Sequence, residues 1–161
     1  MRKPLSSARI PAVGQGKRGE EGHLGYLLRQ AGAAQRLRME RALSALEVTP
    51  PQFAVLTMLA AYPGVSSADL ARLSFLTPPT VSVIVANLEH SGAVARRPHQ
   101  VHGRIQHVDV TEAGRKLLAR CRERVQVLER QLAAGLSVRD ELAIRRWLVK
   151  VAMPSPANPG S

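Results

Sequence analysis

The chain has 161 residues, with 23 Lys+Arg against 12 Asp+Glu, a formal charge of +11 and 45% hydrophobic residues; this supports one folded domain with tails and excludes wholesale disorder. Aromatic residues make up only 3%, which leaves little material for the base-stacking platforms that hold single strands or RNA loops. The single cysteine, Cys121, excludes an internal disulfide framework and the usual four-thiolate zinc sites and fits a reducing, cytoplasmic setting, and no apolar run approaches the roughly 18–20 residues that span a bilayer.

Residues 1–21 carry Pro4, Pro11, scattered Gly and Ser and five basic residues without periodicity, which predicts a flexible basic arm. The arm lacks the continuous apolar core of a secretory signal. From His23 to Leu46, Leu24, Leu27, Leu28, Ala31, Met39, Ala42, Leu43 and Leu46 recur at three- and four-residue steps, the spacing of a long amphipathic helix. Thr49-Pro50-Pro51-Gln52 supplies an N-cap, a proline in the first turn and a capping-box partner for a second helix, read as placing Phe53, Leu56 and Ala60 inward. That helix stops at Tyr62-Pro63-Gly64, and Ser66 with Asp69 opens a short third helix through Leu70 and Leu73.

Thr77-Pro78-Pro79 repeats the starting signal for a fourth helix with Val81, Ile84, Val85 and Leu88 on one face and Ser91-Gly92 at its end. Ala93–Arg97 and Ile105–Val110 read as the two strands of a hairpin joined by a loop from Pro98 to Gly103. Thr111 with Gly114 starts a helix striped by Leu117, Cys121, Val125, Leu128 and Leu132; Gly135 ends it, and Ser137 caps a last helix bearing Ile144, Trp147, Leu148 and Val151. Pro154, Pro156 and Pro159 mark residues 153–161 as a disordered tail.

Two helices, a short helix, a further helix close behind it, a hairpin and two more helices form the order of a winged helix-turn-helix. The fold class is mainly α with a small β-hairpin, and the domain spans 22–152. Residues 47–111 form its DNA-binding part, and 22–46 with 112–152 are dimerisation helices whose apolar stripes exceed what one small core can cover. A helix 10–12 Å wide suits the major groove of duplex DNA, and the hairpin suits the adjacent backbone or minor groove.

The stretch VTPPQFAVLTMLAAYPGVSSADLARLSFLTPPTVSVIVANLEHSGAVARRP, Val48 to Pro98, and the segment VDVTEAGRKLL resemble the MarR family of bacterial transcriptional regulators. The resemblance runs from about Leu24 to Val151. It implies a winged-helix homodimer with intertwined first and last helices that represses promoters and is released by small molecules or oxidants. Wings of this family carry an Asp two residues before an Arg; here His102 stands at the Asp position and Arg104 remains, which weakens the charge-assisted hold on that arginine. The resemblance also places the effector pocket near the start of the long helix, at His23 and Tyr26.

At about 100° per residue, the fourth helix turns Pro79, Val83, Ala86, Asn87 and His90 outward with Thr80 and Ser82 on the flanks, behind the Thr77 cap. No Lys or Arg lies between Thr77 and His90, so bidentate reading of guanine is absent from this helix. Asn87 can pair with adenine, and Val, Ala or Thr methyls can meet thymine methyls. The expectation is an A·T-rich, pseudo-palindromic promoter operator. Arg72 beside the turn and Arg96, Arg97 and Arg104 in or beside the wing are the expected phosphate clamps.

Cys121 falls on an apolar stripe and reads as packed core or dimer interface, with a redox switch as the alternative because Arg120, Arg122 and Arg124 are close in sequence. His99, His102 and His107 match no common zinc spacing, so no metal and no cofactor are expected. No GxSxG, HExxH, GxxxxGK or GxGxxG element occurs, so no enzyme is expected. The competing readings are a basic membrane-surface module and a protein-interaction module that reuses the winged-helix shape; the primary expectation includes no membrane partner.

Overall fold

The computed structural model describes residues 10–98 and 106–153. Six helices and one hairpin follow in the expected order: α1 (Leu24–Ser44), α2 (Pro50–Ala61), α3 (Ser67–Leu73), α4 (Pro78–His90), β1 (Val94–Pro98), β2 (Gln106–Val110), α5 (Glu112–Ala133) and α6 (Val138–Ala152). Each start is chemically specified. The Thr49 hydroxyl accepts from the Gln52 N–H at 3.4 Å while the Gln52 side chain accepts from the Thr49 N–H at 2.8 Å, a full capping box. Ser66, Thr77, Thr111 and Ser137 likewise accept from the backbone N–H three residues on, satisfying donors that the first turn of a helix otherwise leaves open.

The strands pair antiparallel, with Val94 opposite Val110 and Arg97 opposite His107. Because side chains alternate across a strand, Val94 and Val108 enter the core while Ala95, Arg97, His107 and Asp109 share the other face. The main core gathers Val55, Leu56 and Leu59 from α2, Leu70 and Ala71 from α3, and Val81, Ile84, Val85 and Leu88 from α4, and it closes on Val94, Val108 and Leu118. A second cluster of Leu43, Val48 and Cys121 lies where α1 meets α5. Phe53 and Leu117 pack against both clusters and so join the reading head to the outer helices.

Several expectations change. Ala60 is exposed, and Val55 and Leu59 take its inward place. Only Leu43 of the long α1 stripe is buried, and Leu24 is 68% exposed. Part of the expected flexible arm is shaped: Gly16–Arg18 form a 3₁₀ turn. The Arg18 guanidinium donates to the Pro11 carbonyl at 2.9 Å, and the Gln30 side chain of α1 donates to the Arg18 carbonyl at 3.3 Å. The strands begin at Val94 and Gln106, one residue later than expected. The expectations for residues 1–9, for the loop from His99 to Gly103, for Arg104 and Ile105 and for the tail from Pro154 lie outside the described residues. No helix of the described residues is long and apolar enough to cross a membrane.

Candidate nucleic-acid interface

The candidate interface is built on α4, held from beneath by four side chains at most 7% exposed: Val81, Ile84, Val85 and Leu88. Their spacing of three, one and three residues fixes the rotation of the helix, so the opposite side must face solvent. Thr77, Pro79, Thr80, Ser82, Val83, Ala86, Asn87 and His90 are all exposed, as their positions in the helical period require. Thr77 and Thr80 share a 2.8 Å hydroxyl contact, and the Ser82 hydroxyl donates to the Pro78 carbonyl at 3.0 Å. Those internal bonds hold the polar groups at the first turn in set orientations and leave the Val83 and Asn87 side chains on the open face.

The expected phosphate clamps prove to be ion-paired where the structure describes them. Arg72 donates to Asp69 at 2.6 Å, Arg96 to Glu89 at 2.9 Å and Arg97 to Asp109 at 2.6 Å. The Asp69 carboxyl is held below its ordinary pKa chiefly by the Ser66 hydroxyl, with Arg72 adding to the effect against a small desolvation. These pairs do not compete strongly with DNA. Surface ion pairs contribute about 0–1 kcal/mol, whereas a phosphate offers a charge-assisted partner and releases counterions. Arg97, with 72% of its side chain exposed, is therefore placed to exchange Asp109 for a phosphate; Arg104 lies outside the described residues.

Two concavities carry cationic walls. One, of about 220 Å³, lies at the root of the wing between Leu59, Pro63, Arg97, Asp109 and Arg115. The other, of about 320 Å³, lies on α1 among Tyr26, Arg29, Gln30 and Ala33, where the Arg29 guanidinium stands 5.8 Å from the Tyr26 ring centre. No three His, Cys, Asp or Glu groups among the described residues gather as metal ligands.

Comparison with known proteins fits this geometry. An HTH-type transcriptional repressor of Mycobacterium tuberculosis is 36% identical over 132 residues, covering 82% of this chain and 95% of the relative, and the MarR family profile matches residues 46–105. The chain belongs to the MarR family. A crystal structure of a Mycobacterium tuberculosis MarR family protein in complex with DNA shares 36% identity and a TM-score of 0.67 over 82% of this chain and 99% of that one. The repressor CouR bound to a 23-mer duplex gives a TM-score of 0.78 at 25% identity, covering 86% of this chain and 99% of the other. In MarR terms α4 is the reading helix and β1–β2 the wing, as the sequence indicates.

Cys121 is fully buried beside Leu43 and Val48. Burial pushes its thiol above the ordinary pKa, against a weaker downward pull from Arg120. Since the thiolate is the reactive form, the neighbouring arginines do not make this cysteine a sensor. In the native protein Cys121 is expected to resist an aromatic disulfide reagent at pH 7.5 and to react fully after denaturation; stoichiometric labelling of the native state would restore the redox reading.

One exposed group escaped the sequence reading. Phe75, in the turn between α3 and α4, has a φ of +54° and is 84% exposed. Its neighbours Ser74 and Leu76 mark a turn in the sequence, but only the backbone shows which residue adopts the left-handed conformation.

Proposed function

We propose that the chain is a homodimeric transcriptional repressor that holds a pseudo-palindromic, A·T-rich operator with one α4 in each of two major-groove segments and releases it when a small aromatic acid binds. The observation that carries this reading is the open side of α4: a capped helix with its apolar face locked into the core and its Thr80, Ser82, Val83 and Asn87 face unobstructed. Asn87 is the adenine reader and Val83 a thymine-methyl contact, while Thr77, Pro79, Thr80 and Ser82 pack against the groove edges. Arg72, Arg96, Arg97 and Arg104 hold phosphates and set the register. Residues 22–46 and 112–152 form the dimer, which spaces two heads by about one helical turn of DNA, roughly 34–36 Å. The protein binds rather than catalyses, and it works in the cytoplasm, where its operator lies.

The effector assignment draws on structures of the Mycobacterium tuberculosis family member in complex with salicylic acid and with p-aminosalicylic acid, at 36% and 35% identity. The α1 cleft offers a guanidinium for a carboxylate and the Tyr26 ring for an aromatic face. Release requires that the acid favour the dimer arrangement that misfits DNA, since a ligand shifts an equilibrium only by its differential affinity.

The test starts with selection of duplexes from random-sequence DNA, followed by titration of the winning duplex at several salt concentrations. We expect A·T-rich half-sites and a salt slope that falls by about 0.9 in Arg97→Gln. Salicylate is expected to weaken binding of the parent protein and to have little effect on Arg29→Ala. An unchanged slope would make Arg97 a solvated bystander, and recovery of no preferred duplex would end the reading altogether.

A further inference from the structure

Building on the operator-binding reading, we infer that Phe75 is a second apolar reading group, placed by a strained turn to press its ring against a thymine methyl or deoxyribose at the edge of each half-site. The backbone sets this up. Ser74 caps α3 in the right-handed region; the Phe75 N–H then donates to the Arg72 carbonyl at 3.3 Å and the Leu76 N–H to the Ala71 carbonyl at 2.9 Å. Those paired bonds are the Schellman closure of a helix, and its left-handed position is ordinarily glycine because a Cβ there clashes with the backbone.

Here that position holds a phenylalanine at φ +54° with 84% of its surface in water. It costs stability twice. A left-handed L-residue is strained by roughly 1–2 kcal/mol, and the exposed ring forgoes the burial that normally stabilises a phenylalanine. Asparagine or glycine would close the same turn without either cost. An outlier of this kind implies a contact made outside the folded chain.

Continuity with the reading helix identifies that contact as DNA. Phe75 precedes the Thr77 cap by two residues, and from Thr77 to Pro79 the chain entering the helix is exposed. Val83, 61% exposed one turn beyond Pro79, continues the apolar edge, and no Lys or Arg lies between Thr77 and His90. A surface so poor in donors and so rich in methyl and ring carbons is complementary to the thymine C5-methyl, which phenylalanine is able to contact.

The experiment compares the parent protein with Phe75→Gly and Phe75→Asn on the duplex that the parent selects from random-sequence DNA, and on the same duplex with deoxyuridine replacing thymidine. Thermal unfolding of both variants should be unchanged or shifted upward, because both residues tolerate the left-handed turn. Their affinity for the thymine duplex should fall about tenfold. Deoxyuridine should weaken the parent and have a much smaller effect on the variants. Equal affinity of parent and variants overturns the Phe75 contact while leaving the operator reading intact. A parent that binds no duplex overturns both, and parent-specific self-association lost in Phe75→Gly would assign the ring to a protein contact and overturn the inference.

Discussion

Replacing Gly114 by alanine is expected to destabilise the domain more than any other single methyl added to a described glycine. An ideal Cβ at this position would stand 1.9 Å from the Ala93 carbonyl oxygen, 2.9 Å from its carbon and 2.9 Å from Val110 Cγ1. None of these neighbours is a loose side-chain end. The Ala93 carbonyl accepts the Thr111 N–H at 3.1 Å, the Ala93 N–H donates to Leu88 at 2.8 Å, and Val110 is paired with Val94 in the sheet. The Thr111 hydroxyl further ties the start of α5 to the Gly92 carbonyl at 2.6 Å. Alanine in a helix recovers about 1 kcal/mol of propensity over glycine, but overpacking costs about 1–3 kcal/mol even where side chains move, and here backbone must move. A net loss near 3 kcal/mol corresponds to a melting temperature lower by roughly 6–12 °C for a chain of this size. Circular dichroism melts check this, with Gly25→Ala, where nothing lies within 4 Å, as the control expected to stay near the parent. An unaltered melt for Gly114→Ala would mean that α5 can lift away from the wing freely.

The reading helix is legible in the sequence because one local pattern determines it: a Thr-Pro-Pro start, four apolar residues in helical phase and a Ser-Gly stop. Burial of Val81, Ile84, Val85 and Leu88 follows that phase. The phase of α2 is not legible in the same way. From Phe53 to Ala61 only Thr57 is polar, so periodicity has no polar face to register against and Ala60 is misassigned. The arginine pairs also depend on tertiary approach: Glu89 and Arg96 stand seven residues apart across the α4–β1 turn, and Arg97 and Asp109 stand twelve apart across the hairpin. Charge counting alone treats them as free cations. Phe75 is missed for a backbone reason, since the choice of left-handed residue within Ser74–Leu76 depends on which N–H groups close the end of α3.

The outer helices carry the other large expected effect, because α6 has no buried residue within its own chain. Trp147 and Val151 are exposed at 38% and 48%, four residues apart and so on one helical face. Ile144 and Leu148 turn instead toward Leu132 and Leu136 at the end of α5. A fifteen-residue helix is marginal in water without packing, and an apolar face of this extent on a folded domain signals a partner. A second copy satisfies both conditions, since a two-fold dimer lets the same face cover itself. The double variant Trp147→Glu/Val151→Glu spares the side chains that line the α5–α6 cleft and places like charges across the proposed two-fold contact. Sedimentation at micromolar concentration is expected to show a monomer. Affinity for a duplex with two half-sites should fall at least about a hundredfold, because the second head no longer binds at high effective concentration, while the weak affinity for a single half-site should hardly change. Loss of binding to the single half-site would point to unfolding of the reading head. A variant that remains a dimer would place the contact on another face, leaving α6 to be covered by a different partner.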